Sequence, residues 1–141
     1  LRAVEGLLGS GADLVVLGSG EQGRVDELER LRARHPERMG VFIGYDDSLS
    51  HLVIAGSDLL LIPSRYEPCG LTQMYAMRYG AIPIVTNVGG LHDTVEGIRD
   101  GVFEAGTGFV TTHVTGAVTF ASATGPVYAT SAAEPQWTNA S

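Results

Sequence analysis

Leu59-Leu60-Leu61-Ile62-Pro63-Ser64-Arg65-Tyr66-Glu67-Pro68-Cys69-Gly70-Leu71-Thr72-Gln73 is the stretch on which the fold of this chain turns. Four consecutive apolar residues stopped by Pro63 read as a strand buried on both faces, as strands of parallel sheets are. After the loop a helical pattern runs to Gly80, a residue suited to ending a helix. Pro68 is expected at the first helical position, where it has no N–H to lose and its φ is already near helical. The predicted helix therefore spans about Pro68 to Tyr79. On that reading the N–H groups of Cys69, Gly70, Leu71 and Thr72 have no intrahelical partners. A helix start of this kind attracts anions. Gly70, without a Cβ, lets a ligand come close to the backbone. Glu67 can accept hydrogen bonds from hydroxyls but repels a phosphate placed directly on it. The pair of features suits a ligand with a polyhydroxyl part and a phosphate part, such as a sugar nucleotide.

The flanking sequence repeats the strand–loop–helix pattern. Leu1 to Leu8 reads as the end of an amphipathic helix, stopped by Gly9-Ser10-Gly11, and Leu14-Val15-Val16-Leu17 as a short apolar strand. Glu21 to Arg34 carries Val25, Leu28 and Leu31 on one helical face, and Pro36 follows it. Val41-Phe42-Ile43 is the next strand, and Asp47 or Ser48 is expected to cap a helix closing near Gly56. Ile82 to Val85 is a fourth strand, followed by Gly89-Gly90, a short helix around Asp93 to Val95, and a last strand after Gly106. Such alternation with short connections predicts a doubly wound, parallel α/β sheet. Ligands of these sheets bind at the carboxyl ends of the strands. Gly18 to Gly20, Gly44-Tyr45, Pro63 to Gly70 and Thr86 to Gly90 are therefore expected to open on one edge.

Tyr66 to Gln73, continued by Met74-Tyr75-Ala76-Met77-Arg78-Tyr79-Gly80, resembles the signature of the bacterial glycogen synthases and plant starch synthases. Ile43-Gly44-Tyr45, Ser50-His51, Ala55-Gly56-Ser57-Asp58, Pro63-Ser64-Arg65, Gly89-Gly90-Leu91 and Asp93-Thr94-Val95 are similar in order and spacing. The resemblance implies a retaining glycosyltransferase of two facing Rossmann-like domains (GT-B), which adds glucose from ADP-glucose to an α-1,4-glucan. It implies that residues 1–111 are part of the donor-binding domain, and that the glucan acceptor meets an N-terminal domain this chain lacks. A segment of that kind, opening on Leu1 within a helical pattern, is expected to be inactive alone, because the family's phosphate-gripping Arg and Lys would precede it.

By the same resemblance Glu67 is the catalytic candidate, binding hydroxyls of the donor glucose. The amides of Cys69, Gly70 and Leu71 hold the sugar, and that of Thr72 holds the distal phosphate. Ser64, Arg65, Tyr45 and Gly18 join the donor-binding set. Tyr45, directly after a strand, can stack on adenine or pack under a neighbouring loop. Arg65 can reach the base or a phosphate, or only solvate its loop. With configuration retained and no second carboxylate beside the site, no glycosidase-like pair is expected; stabilisation of the departing phosphate carries the chemistry. Related families often place a second Glu eight positions after the first, where this chain has Tyr75, as in the glucan synthases.

Composition bounds the alternatives. A chain of 141 residues with net charge −7, nine basic residues all arginine, and a pI near 4.9 does not suit nucleic acid or an anionic membrane. A single cysteine, Cys69, leaves no internal disulfide and no CxxC metal site, and no two histidines have metal-ligand spacing. No metal or cofactor is expected, ADP-glucose being a substrate. The absence of a signal-peptide pattern and of a membrane-length apolar run suits a soluble intracellular protein, and the resemblance implies the bacterial cytoplasm, with a plastid as the other compartment. A UDP-glucose-dependent relative of the same architecture is the nearest alternative.

A second alternative is a dinucleotide module, because Gly18-Ser19-Gly20-Glu21-Gln22-Gly23 matches G-x-G-x-x-G between strand and helix, with Asp46 as its acidic partner. Cys69, at a predicted helix start, and His51 would be needed together for thiol chemistry. Residues 112–141 leave the pattern: Glu134 is their sole ionised side chain and 18 of 30 are Ala, Thr, Ser or Gly, so the charged, amphipathic helix that the resemblance implies there is not legible in the sequence. They read as a divergent end, a frame-shifted stretch or a disordered segment, with no function assigned.

Overall fold

A computed structural model describes residues 2–97, 106–111 and 128–129. Helix α1 (Arg2–Gly9) leads to β1 (Leu14–Gly18), α2 (Gln22–Arg34), β2 (Met39–Ile43), α3 (Asp47–Ala55), β3 (Leu59–Ile62), α4 (Thr72–Tyr79), β4 (Ile82–Thr86), α5 (Gly89–Thr94), β5 (Phe109–Thr111) and β6 (Tyr128–Ala129). Every described strand pairing is parallel: β1 with β2, and β6, β3, β4 and β5 in that spatial order. Parallel neighbours need a crossover, and α2 and α4 supply it within the two sheets while α3 passes between them. The architecture is the expected parallel α/β arrangement.

The apolar run Leu59–Ile62 is central because both its faces are covered. Leu60 and Ile62 join Ile54, Ala76, Val85, Leu91 and Val95 in one cluster; Leu59 joins Leu7, Ala12 and Ile84 in another. Leu60 and Val85 are fully buried. Each such side chain contributes about 1.5–3 kcal/mol relative to exposure. A third cluster, Leu8, Leu14, Val16, Leu31 and Met39, fastens α1 and α2 to β1 and β2. Strand β2 pairs with β1 alone among the described residues, and Phe42 and Ile43 stay exposed on it.

Four local expectations change. Helix α4 begins at Thr72, not Pro68, because Gly70 adopts a left-handed φ of 62° that no α-helix can pass through. Helix α3 is capped one residue earlier than expected: the Asp46 carboxylate accepts from the Leu49 N–H at 2.8 Å. Helix α5 starts at Gly89 rather than near Asp93, and β2 starts at Met39 rather than Val41, since the register with β1 extends to Leu14. The end of α4 falls where expected, with Gly80 at φ 89° and its N–H donating to the Ala76 and Met77 carbonyls. The reading of residues 112–141 as divergent, frame-shifted or disordered lies outside the described residues, apart from Tyr128–Ala129, which pairs with Leu60 and Leu61.

Candidate nucleotide-sugar site

Strand β3 ends at Ile62, and the chain then spends nine residues, Pro63 to Leu71, before α4. Two contacts from the neighbouring β4–α5 unit, and one from α4 that is itself tied to α5, hold this loop. The Thr86 hydroxyl donates to the Ser64 carbonyl. The Gly90 N–H donates to the Glu67 carbonyl at 2.9 Å. The Gln73 Nε2, from the first turn of α4, donates to the Gly70 carbonyl at 2.7 Å and to Thr94 Oγ1 at 2.8 Å.

The packing is close enough to exclude side chains. A Cβ at Gly89 would lie 1.9 Å from the Glu67 carbonyl oxygen, and one at Gly90 2.0 Å from that of Cys69. The Gly89-Gly90 pair is therefore there for the approach of α5 to the loop.

This bracing decides where the polar groups go. Glu67 is half-buried, and its Oε2 accepts from the Ser64 hydroxyl at 3.2 Å, leaving Oε1 free among the described residues. Among the described residues no acceptor takes the N–H groups of Cys69, Gly70, Leu71 or Thr72. The donors expected on a first helical turn are thus present, but on a different frame. Left-handed Gly70 followed by right-handed Leu71 is the backbone alternation from which anion-binding nests of amides are built in general, and Thr72 adds the helix terminus. Cys69 is exposed, and none of the described contacts joins it to His51.

The remaining expected residues are distributed as follows. Arg65 is exposed on the loop, and no ion pair holds it among the described residues. Tyr45 is 87 % exposed, its hydroxyl 3.4 Å from the Asp47 carboxylate, so it stands in solvent rather than packing under a loop. Gly18 and Gly44 meet at the carboxyl ends of β1 and β2, joined by the Gly44 N–H to the Gly18 carbonyl at 2.9 Å. Glu67, Ser64 and the amides form one group, and Gly18 with Tyr45 a second. No hydrogen bond joins the two groups among the described residues.

His51 is packed rather than poised: its Nδ1 lies 3.0 Å from the Tyr79 hydroxyl, and its ring contacts Tyr75 and Tyr79. Among the described residues no group of three or more His, Cys, Asp or Glu is arranged to hold a metal ion. No described helix is long and apolar enough to cross a membrane.

The glycine fingerprint does not behave as one. Its third glycine normally permits close helix–strand packing. Here a Cβ at Gly23 would meet nothing within 4 Å. The acidic partner Asp46 is engaged as the cap of α3. What the sequence reading missed is the bracing set, Gln73, Thr86, Gly90 and Thr94. Gln73 had a signal, being a polar residue at a core-facing helical position.

The family model for glycosyl transferases group 1 matches residues 1–112. The chain is 52 % identical over 109 residues to glycogen synthase 2 of Bradyrhizobium diazoefficiens, covering 77 % of this chain and 22 % of that protein. It is 52 % identical over 106 residues to the glycogen synthase of Granulibacter bethesdensis, covering 75 % and 22 %. Among solved structures, the catalytic domain of starch synthase IV from Arabidopsis thaliana, bound to ADP and acarbose, superposes with a TM-score of 0.70. The identity is 39 %, over 82 % of this chain and 25 % of that one. The chain thus spans about a fifth of the length of the curated relatives it matches. A parallel α/β frame, a half-buried acid beside a row of free amides, and these matches together place the chain in the family of group 1 glycosyl transferases.

Proposed function

We propose that this chain is the donor-binding part of a glucan synthase that transfers glucose from ADP-glucose to an α-1,4-glucan in the bacterial cytoplasm. The observation that carries the reading is the row of unpartnered N–H groups from Cys69 to Thr72 beside the Glu67 carboxylate. An anion repelled by Glu67 and drawn to the amides takes one orientation only. The glucosyl hydroxyls face Glu67, and the diphosphate faces Gly70 to Thr72. As the glycosidic bond breaks, charge develops on the departing phosphate, and fixed amides already aimed at it stabilise that charge without reorganising. Glu67 is the catalytic residue through its contact with the sugar; Ser64 holds its Oε2 and Arg65 supplies charge at the loop rim. Tyr45 and Gly18 take the adenosine end.

The glucan acceptor meets a domain outside these 141 residues, so the chain alone binds ADP and does not turn over. Neither a metal ion nor a cofactor has a part in this reading. The starch synthase neighbour holding ADP and acarbose supports the ligand classes.

The test is an amide-resolved NMR titration of the chain with ADP, ADP-glucose, UDP-glucose and NAD. The expected result is that ADP shifts Cys69 to Thr72, and that ADP-glucose binds more tightly than ADP in the wild type but equally in Glu67→Ala. Shifts confined to Gly18–Gly23 on adding NAD, with none from ADP at Cys69–Thr72, would overturn the assignment.

A further inference from the structure

Gln73 is fully buried, and its Oε1 is the one buried side-chain oxygen or nitrogen without a hydrogen-bond partner among the described residues. Filling space does not explain a carboxamide there, because a Met or Leu would fill the same volume without an orphaned acceptor. What an aliphatic side chain would lack is Nε2. That nitrogen holds the Gly70 carbonyl at 2.7 Å and Thr94 Oγ1 at 2.8 Å. The Thr94 hydroxyl donates onward to the Gly90 carbonyl, and the Gly90 N–H to the Glu67 carbonyl. The circuit thus begins at the amide row and returns to the acid.

The Gly70 carbonyl and the Leu71 N–H belong to one planar trans peptide, so they point in opposite directions. Pulling the carbonyl inward toward Gln73 turns the Leu71 N–H outward. Gly70 has the freest backbone in the loop, and its left-handed φ leaves this peptide plane with no helical bond to hold it.

We infer that Gln73 is a positioning residue: it never touches the ligand, but through the Gly70 carbonyl it aims the Leu71 and neighbouring amides at a diphosphate. The inference rests on the sugar-nucleotide reading above and adds to it which residue sets the donor geometry. It separates stability from affinity. Gln73→Met removes the orphaned acceptor together with the donor, and Gly70 is itself only part-buried, so that its carbonyl can turn to water and the thermal midpoint changes little. The amide row loses its aim.

The experiment uses the 141-residue chain and titrates wild type and Gln73→Met with ADP and with adenosine, which lacks the phosphates. The expected result is a loss of about tenfold in ADP affinity with adenosine binding unchanged. Thr94→Val, which strips the second anchor of Nε2, should show the same selective loss to a smaller extent, and Thr94→Ser should restore it. Should Gln73→Met fail to fold, the threonine pair decides the matter. Wild-type ADP affinity in the folded variants, or equal losses for ADP and adenosine, overturns the inference alone. A wild-type chain that binds no ADP overturns the underlying reading as well.

Discussion

Gly90→Ala tests the bracing of the loop most directly. Gly90 lies outside the left-handed region, so alanine adds no backbone strain and its effect is contact alone. The new Cβ would lie 2.0 Å from the Cys69 carbonyl oxygen and 2.4 Å from its carbon. Carbon and oxygen approach to about 3.3 Å, so loop and helix must part by about 1.3 Å. Both sides are backbone, and neither can swing a side chain out of the way.

Overpacking of this kind costs about 1–3 kcal/mol. The parting also stretches the 2.9 Å bond from the Gly90 N–H to the Glu67 carbonyl, adding about 1 kcal/mol. A total of about 2–4 kcal/mol in a domain this size lowers the thermal midpoint by roughly 10 °C or more. The Cys69–Thr72 amides move with the loop, so ADP affinity should fall even at temperatures where the variant is folded. The assay is scanning calorimetry paired with an ADP titration at low temperature. Gly23→Ala is the control, since its Cβ meets nothing within 4 Å in the first turn of α2; it should leave the thermal midpoint unchanged or slightly raised. A Gly90→Ala protein melting within 2 °C or so of wild type and binding ADP normally would refute the reasoning.

Two further outcomes are expected. Cys69→Ser should leave ADP binding within about twofold of wild type, because the backbone N–H and not the sulfur is used, whereas a bulky maleimide on the exposed thiol should block ADP; titration before and after labelling reads both. Asp46→Ala should destabilise the chain by about 1 kcal/mol through loss of the α3 cap, with ADP affinity unchanged, as denaturant melts and the same titration would show.

Much of the fold and part of the site could be read from the residue order. Apolar runs such as Leu14–Leu17 and Leu59–Ile62, separated by helical patterns ending at Gly80 or before Pro36, encode buried parallel strands and their crossovers locally. Glu67 and the amides of Cys69 to Thr72 were legible because they follow such a strand immediately. The error at Pro68 came from the same local logic: a proline favours a helix start, but Gly70 two residues later takes a left-handed turn.

That turn is held by partners distant in sequence. Gln73 and Thr94 are 21 residues apart, and Ser64 and Thr86 are 22 apart. The fingerprint at Gly18–Gly23 failed for a related reason, since whether a glycine is needed depends on what stands next to it, and next to Gly23 there is nothing. The succession of strands and helices and the placing of Glu67 and its neighbouring amides after β3 thus belong to the sequence, where periodicity and chain stiffness act between near neighbours. The hold on the Gly70 turn, the aim of the Leu71 N–H and the need for Gly89-Gly90 belong to the tertiary structure, because β4 and α5 pack against the loop and Thr94 of α5 fixes the Gln73 side chain that holds the Gly70 carbonyl.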